Sequence, residues 1–375
     1  MLTLILVTLL ALALLLGSGV WVAFSLIGTG WIVLTFFSTF ETGPILASDF
    51  WGASYGWDLT ALPMFVRMGE IQFRSGLADN MFRALAPWLN RLPGRLLHSN
   101  IIGSGLFAAV CGSSAATCAT VGKMTLPELE RRGYDSNLAI GTLASASTLG
   151  LLIPPSIMMM VYGVVTEQSI SRLFIAGVLP GMLLLALFMG YLAIWSKVVG
   201  EPQGRAGHDE PHMGFMAKLR NSAQLIPLLA LIGGILGSIY GGLASPTEAA
   251  AVGVVLSLII ARLNGHMTAA TFKESLFAAL RTSCMIVFII AGASFLSSAM
   301  SFTQIPMQLA EGIATLGLSP TMLLVVLTLF LLILGCFLDG ISLILLVTSI
   351  IMPVIEAAGF DLIWFGIYLI IVVEM

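Results

Sequence analysis

The chain has 375 residues, of which 58% are hydrophobic and only 9% charged, with a mean hydropathy of +1.03 and a net charge of −3. Soluble domains carry about 25% charged residues, so a water-soluble globule is excluded. The cysteines (Cys111, Cys118, Cys284, Cys336) all lie in apolar stretches and the histidines show no metal-ligand spacing, so neither a disulfide framework nor a transition-metal centre is expected.

Apolar runs of roughly 20 residues recur along the chain, the pattern of an all-α polytopic membrane protein. No cleavable signal peptide is expected, because the apolar run from Met1 to Leu16 has no basic start. Leu2–Leu16 and Val20–Phe40 read as two spans joined at Gly17-Ser18-Gly19. The loop that follows holds Glu41, Asp49 and Asp58 and no base, which makes it external. A third span, Leu59–Phe73, returns inward carrying Arg67 and Glu70. Glu70 and Arg74 stand i,i+4 on one helical face and are expected to neutralise each other. Residues 76–97 form a basic amphipathic segment (Arg83, Arg91, Arg95), expected to lie against membrane lipid at the cytoplasmic interface.

The next stretch is unusual for so apolar a chain. A turn, Cys111-Gly112-Ser113-Ser114 and on to Thr117, sits inside an apolar run whose flanks are both basic: Arg91 and Arg95 before it, Lys123, Arg131 and Arg132 after it. A single crossing would put one flank on the wrong side, so residues 97–127 are predicted to form a re-entrant hairpin from the cytoplasmic side. A span over 137–166 is then broken by Pro154-Pro155. Ile170–Trp195 returns to a polar cytoplasmic linker, 197–222, and three further spans follow at Gln224–Gly241, Ala249–Ile260 and Ser283–Phe302. Ile305–Leu318, with Glu311, reads as interfacial, and Arg172 is the one base outside the cytoplasmic side.

The chain repeats itself. Pro127, Glu130, Gly133, Tyr134 and Asp135 match Pro353, Glu356, Gly359, Phe360 and Asp361 at one constant offset. The same offset sets Ser113-Ser114 opposite Asp339-Gly340, inside the apolar run Leu323–Met352, whose flanks (Glu311, Glu356, Asp361) are acidic only. A second hairpin, 321–353, is therefore expected to enter from outside. The organisation predicted is a first inverted repeat over 1–196, the linker 197–222, and a second repeat over 223–375. Inverted repeats with broken helices are typical of secondary transporters. Carried further, the offset places a second Pro-Pro break just beyond Met375, so the second repeat is expected to stop roughly 50 residues short.

A broken helix frees carbonyls at one end and N–H groups at the other; carbonyls with hydroxyls suit Na⁺, and N–H groups suit a carboxylate. The candidate Na⁺ residues are Gly112, Ser113, Ser114 and Thr117 at the hairpin tip, with Gly150, Ile153 and Pro154 at the break. Ser145, Pro155, Asp339, Gly340 and Ser342 are candidates for substrate or a second ion. Gly103, Gly105 and Met158-Met159-Met160 read as packing, and Glu248 in Ser245-Pro246-Thr247-Glu248 as a helix cap. Enzyme chemistry is not expected. Gly122-Lys123 has Thr117 and Met124 where a phosphate loop needs Gly and Ser/Thr, there is no HExxH, and no span holds a histidine. No nucleic-acid partner is expected.

The runs CGSSAATCATVGKM, LGLLIPPSI, SPTEAAAVG and GCFLD with IIMPV together resemble the large membrane subunit of the tripartite ATP-independent periplasmic (TRAP) transporters, over nearly the whole chain. The resemblance implies a Na⁺-coupled, elevator-type importer in the bacterial inner membrane. It implies a small four-helix membrane subunit and a periplasmic binding protein as partners, the latter delivering a small organic acid. It also implies Na⁺ at Ser113, Ser114, the Gly150–Pro155 break and the Asp339 region. Sialic acid, C4-dicarboxylates and other small carboxylates stay open as cargo. A stand-alone ion-coupled anion carrier, or a channel or receptor, are the competing readings.

Overall fold

A computed structural model of the chain describes residues 2–89, 92–199, 214–265, 267–305, 319–335 and 338–375. Among the described residues there are eighteen α-helices and no strand. They run α1 (Leu2–Gly17), α2 (Val22–Phe37), α3 (Thr42–Ser54), α4 (Ala61–Arg74), α5 (Leu77–Leu89), α6 (Leu97–Cys111) and α7 (Ser114–Arg131). Next come α8 (Ser136–Ser147), α9 (Leu149–Leu152), α10 (Ile157–Val165), α11 (Ile170–Val198), α12 (Phe215–Ser222) and α13 (Ile226–Tyr240). The chain closes with α14 (Pro246–Leu263), α15 (Ala269–Phe302), α16 (Pro320–Gly335), α17 (Gly340–Ala357) and α18 (Leu362–Val373). All but Ile305 of the interfacial segment expected at 305–318, most of the linker 197–222, Arg91, and Cys336 in the second tip lie outside the described residues.

Among the described residues, five segments are long and apolar enough to cross a membrane: Ser136–Val165, Ile170–Val198, Phe215–Tyr240, Pro246–Leu263 and Ala269–Phe302. On α11 the exposed residues Ile175, Leu179, Leu183, Leu187, Tyr191 and Ile194 recur every third or fourth position, a continuous apolar stripe of the kind that faces lipid. At 34 residues, α15 is about 51 Å long and outreaches the roughly 30 Å hydrocarbon layer. It starts well before the expected Ser283, because Thr268 caps it by accepting from the Thr271 N–H (3.1 Å), and a helix carrying Lys273, Glu274 and Arg281 continues into water at no cost to its backbone.

The chain divides into two compact units. One comprises Met1–Thr60, Met160–Leu173 and Arg281–Met375. Within it, Gly30 and Gly292 bring α2 and α15 together: a β-carbon on Gly30 would lie 2.9 Å from the Phe295 ring, and one on Gly292 would lie 2.9 Å from the Ala23 carbonyl oxygen. Tyr162 donates its hydroxyl to the Leu362 carbonyl (2.6 Å), tying α10 to the start of α18. The expected external loop contains α3, whose Trp51 and Tyr55 rings stack at 6.1 Å.

The other unit comprises Ala61–Met159 and Phe174–Leu280. Within it α4 and α14 pack closely: a β-carbon on Gly253 would lie 2.7 Å from Met68 Sδ, and Gln72 Nε2 donates to Ser257 Oγ (2.9 Å). Arg74 contacts Glu70 (3.5 Å) as the spacing predicted, yet its shorter bond is to Glu274 (2.6 Å). The Ser245–Glu248 capping box that opens α14 is present in full.

The two matched stretches take the same local geometry. Gly133 (φ +77°) and Gly359 (φ +78°) each end a helix in the left-handed region. The Tyr134 N–H reaches back to Leu129 O, and the Phe360 N–H to Ile355 O, the long backward bond of a Schellman cap. Asp135 then caps α8 through the Leu138 N–H, and Asp361 caps α18 through the Trp364 N–H, both at 2.8 Å.

Candidate functional site

The first tip is a two-residue reversal between α6 and α7. Gly112 sits at φ +60°, which glycine adopts without a side-chain clash, and its N–H closes α6 onto Ala108 O (2.9 Å). Ser113 turns back to extended backbone and caps α7 by accepting from the Ala116 N–H (3.4 Å). Ser114 opens α7 and is half-buried. One turn further, Thr117 is fully buried and its Oγ1 has no hydrogen-bond partner.

The Pro-Pro break is packed against this tip. α8 and the single turn α9 end at Ile153, whose backbone is extended, and the buried pair Pro154-Pro155, joined by a cis peptide bond, leads to Ser156. Ser156 donates its hydroxyl to Leu151 O and accepts from the Met159 N–H (3.3 Å), which caps α10. A β-carbon on Gly112 would stand 2.9 Å from Pro155 O and 3.3 Å from Ile157 N. One on Gly150 would stand 3.2 Å from both Ser113 C and Ser114 N. The two interruptions, forty residues apart in sequence, are thus in backbone contact. A third backbone joins them: a β-carbon on Gly69, in α4, would lie 3.0 Å from Cys111 O.

The structure therefore brings Gly112, Ser113, Ser114, Gly150 and Pro155 together, with Ile153 and Pro154 in the same break and Thr117 one turn along α7. Ser145 is exposed on α8; the Ser147 and Thr148 hydroxyls each donate to a carbonyl of their own helix (2.7 Å), leaving their oxygens as acceptors. Gly69 and Ile157 escaped the sequence reading. Gly69 stands between Arg67 and Glu70, and only its position inside an amphipathic helix could have marked it as a contact. No span was expected to hold a histidine, whereas His98 is buried in the first turn of α6, where its Nε2 lies 2.7 Å from Pro93 O.

The second tip belongs to the other unit. Asp339 is exposed and caps α17, accepting from the Ser342 N–H (3.3 Å) and from Ser342 Oγ (2.5 Å). Gly340 opens the helix and Ser342 is fully buried. Ser113 and Asp339, paired by the repeat, thus do the same work three residues ahead of a helix N–H.

The residues at the first tip fit a monovalent cation. Gly112 through Thr117 contain no ionisable side chain, the break frees carbonyls, and Thr117 Oγ1 is a buried oxygen with no protein partner. Among the described residues no group of three or more His, Cys, Asp or Glu side chains could hold a metal ion.

Residues 9–375 match the family model described as the tripartite ATP-independent periplasmic transporter, DctM component. The chain belongs to this family. A C4-dicarboxylate TRAP transporter large permease of Pseudomonas aeruginosa is 34% identical over 331 residues, 88% of this chain and 76% of that protein. The ectoine/5-hydroxyectoine TRAP large permease of Ruegeria pomeroyi is 33% identical, covering 81% of this chain and 70% of its own. An isethionate TRAP permease named DctMQ, from Oleidesulfovibrio alaskensis, is 30% identical over 84% of this chain and 49% of its own. In fold, the DctM-family chain resembles the YdaH transporter of Alcanivorax borkumensis, with a TM-score of 0.56 at 16% identity over 88% of this chain and 75% of that one. As a DctM component it is a multi-pass transporter permease and not an enzyme.

Proposed function

We propose that this DctM-family chain is the permease of a Na⁺-coupled secondary transporter that imports a small organic acid across the bacterial inner membrane. A periplasmic binding protein delivers the acid, and a small membrane subunit completes the complex. The relatives support this reading: their names carry C4-dicarboxylate, ectoine and isethionate, and the DctMQ name joins a second component to the permease. The observation that carries it is the backbone contact between the Ser113-Ser114 tip and the Gly150–Pro155 break, beside the unpartnered Thr117 hydroxyl. Na⁺ would be held by Ser113, Ser114 and Thr117 oxygens together with freed carbonyls of Gly112, Gly150 and Ile153. The ion supplies a positive charge that a neutral protein site lacks, which favours a carboxylate nearby. The N–H ends of α7 and α10, beside Pro154 and Pro155, suit that carboxylate. Ser145, Asp339, Gly340 and Ser342 are the further candidates for substrate or a second ion.

A hairpin that moves as a packed body with its neighbouring break is what elevator-type alternating access needs. The decisive experiment is uptake into proteoliposomes by the complete transporter with and without its soluble protein, under a Na⁺ gradient and under a K⁺ gradient. Uptake only with Na⁺ and the soluble protein is expected. Uptake unchanged without the soluble protein would favour a stand-alone carrier, and uptake unchanged without Na⁺ would overturn the coupling.

A further inference from the structure

Among the described residues, four buried polar side-chain atoms of α6 and α7 have no hydrogen-bond partner: His98 Nδ1, Asn100 Oδ1, Ser104 Oγ and Thr117 Oγ1. Thr117 belongs to the tip. Asn100 and Ser104 lie away from it, one helical turn apart on one face of α6, and both are 0% exposed.

The face they share is the one toward α8. Asn100 Nδ2 donates to Ala139 O and to Thr142 Oγ1, each at 3.1 Å, so its amide is held against α8 with Oδ1 left over. The two glycines beside Ser104 fix where Ser104 points. A β-carbon on Gly103 would meet Met81 of α5 and Val121 of α7, whereas one on Gly105 would meet Leu185 of α11 with Ile153 and Leu149 at the break. Successive helical residues are turned by about 100°, so Ser104 faces between those two directions, into the α6–α8 seam. Leu143 O, on the α8 turn beyond Thr142, is already taken by Ser147 Oγ (2.7 Å).

We propose that the α6–α8 seam holds a structural water between Asn100 Oδ1 and Ser104 Oγ. An amide oxygen can only accept, so the guest must donate, and a hydroxyl accepts or donates to suit. Side chains at i and i+4 have β-carbons about 5–6 Å apart, from which their oxygens can close to the roughly 4.5 Å that one bent water bridges with two hydrogen bonds of about 2.8 Å. Two uncharged oxygens are too few to replace the hydration of a cation. The water joins two side chains of α6 and holds the Asn100 amide in the orientation whose Nδ2 bonds Ala139 O and Thr142 Oγ1, so it supports the polar contact between the base of the hairpin and α8.

An experimental structure of the chain in lipid nanodiscs, in Na⁺ and in K⁺, at a resolution that shows ordered water, tests this. A peak within hydrogen-bonding distance of both oxygens is expected in both salts, and Ser104→Ala should lose it and lower Tm by about 1–3 °C. The proposal is overturned by a peak seen in Na⁺ only, which would make the guest a cation. It is equally overturned by a dry seam in which the Asn100 amide is reversed so that its oxygen accepts from Thr142. A Ser104→Ala variant that keeps both the peak and the wild-type Tm also overturns it.

Discussion

Gly150 and Ser113 meet backbone to backbone: a β-carbon on Gly150 would lie 3.2 Å from the Ser113 carbonyl carbon and 3.3 Å from its oxygen. Neither neighbour is the end of a flexible side chain, so relief requires the tip to move away from the break. Gly150→Ala is expected to cost about 1–3 kcal/mol and Gly150→Val more. Thermal unfolding in detergent measures this, and a Gly150→Val variant as stable as wild type would mean that tip and break are not in contact.

Gly112 joins two demands that Gly359 separates. Both have φ near the left-handed region, +60° and +78°, but only at Gly112 would a β-carbon meet an atom, Pro155 O at 2.9 Å; at Gly359 the space is open. Gly359→Ala should therefore cost about 1 kcal/mol, the conformational part alone. Gly112→Ala should cost at least twice as much, and equal shifts in Tm for the two would refute the close approach.

Thr117 and Ser113 should respond differently to Na⁺. The Thr117 hydroxyl is buried and unpaired, so Thr117→Val is expected to be neutral or stabilising in Na⁺-free buffer while shrinking the Na⁺-induced rise in Tm. Ser113→Ala removes an N-cap and should cost about 1 kcal/mol in either buffer, as well as weakening the Na⁺ response. A full Na⁺ response in Thr117→Val would return that hydroxyl to packing.

Asp339 can be divided into cap and charge. Asparagine caps a helix about as well as aspartate, so Asp339→Asn should keep the stability that Asp339→Ala loses, about 1 kcal/mol. If the carboxylate acts in transport, uptake falls in both variants; uptake retained in Asp339→Asn would leave only the cap.

The sequence announced the elements that depend on local chemistry. Ser245-Pro246-Thr247-Glu248 contains its own capping box, the Gly133 and Gly359 corners sit where a helix must stop, and the Gly-Ser tip divides α6 from α7 as read. Two features went against the expected pattern. α3 was hidden because a loop with Glu41, Asp49 and Asp58 looks polar, although Gly43-Pro44 opens a helix well. A hairpin over 97–127 would end α7 at Pro127, but Pro127 is accommodated inside it and Glu128 continues the helix, accepting from Arg131 (2.9 Å) and Arg132 (2.7 Å). The contacts of Gly69 and Gly150 were illegible because they are long-range: nothing near either glycine says which backbone will approach it. Asp339 stood out as an acid in an apolar run, whereas its capping bonds to Ser342 emerged only with the start of α17 in view.

The tip from Gly112 to Thr117 contains no ionisable side chain, and this has an electrical meaning for the proposed carrier. In the proposed carrier an empty first tip holds no formal charge, so its return would move none of its own through the transmembrane field. At about 2.3 kcal/mol per elementary charge per 100 mV, voltage would then act at this tip through the sum of ion and organic-acid charges aboard, and the Asp339 carboxylate would add to that sum if it acts in transport. On the proposed mechanism the membrane potential would act at the first tip in proportion to what it has taken up.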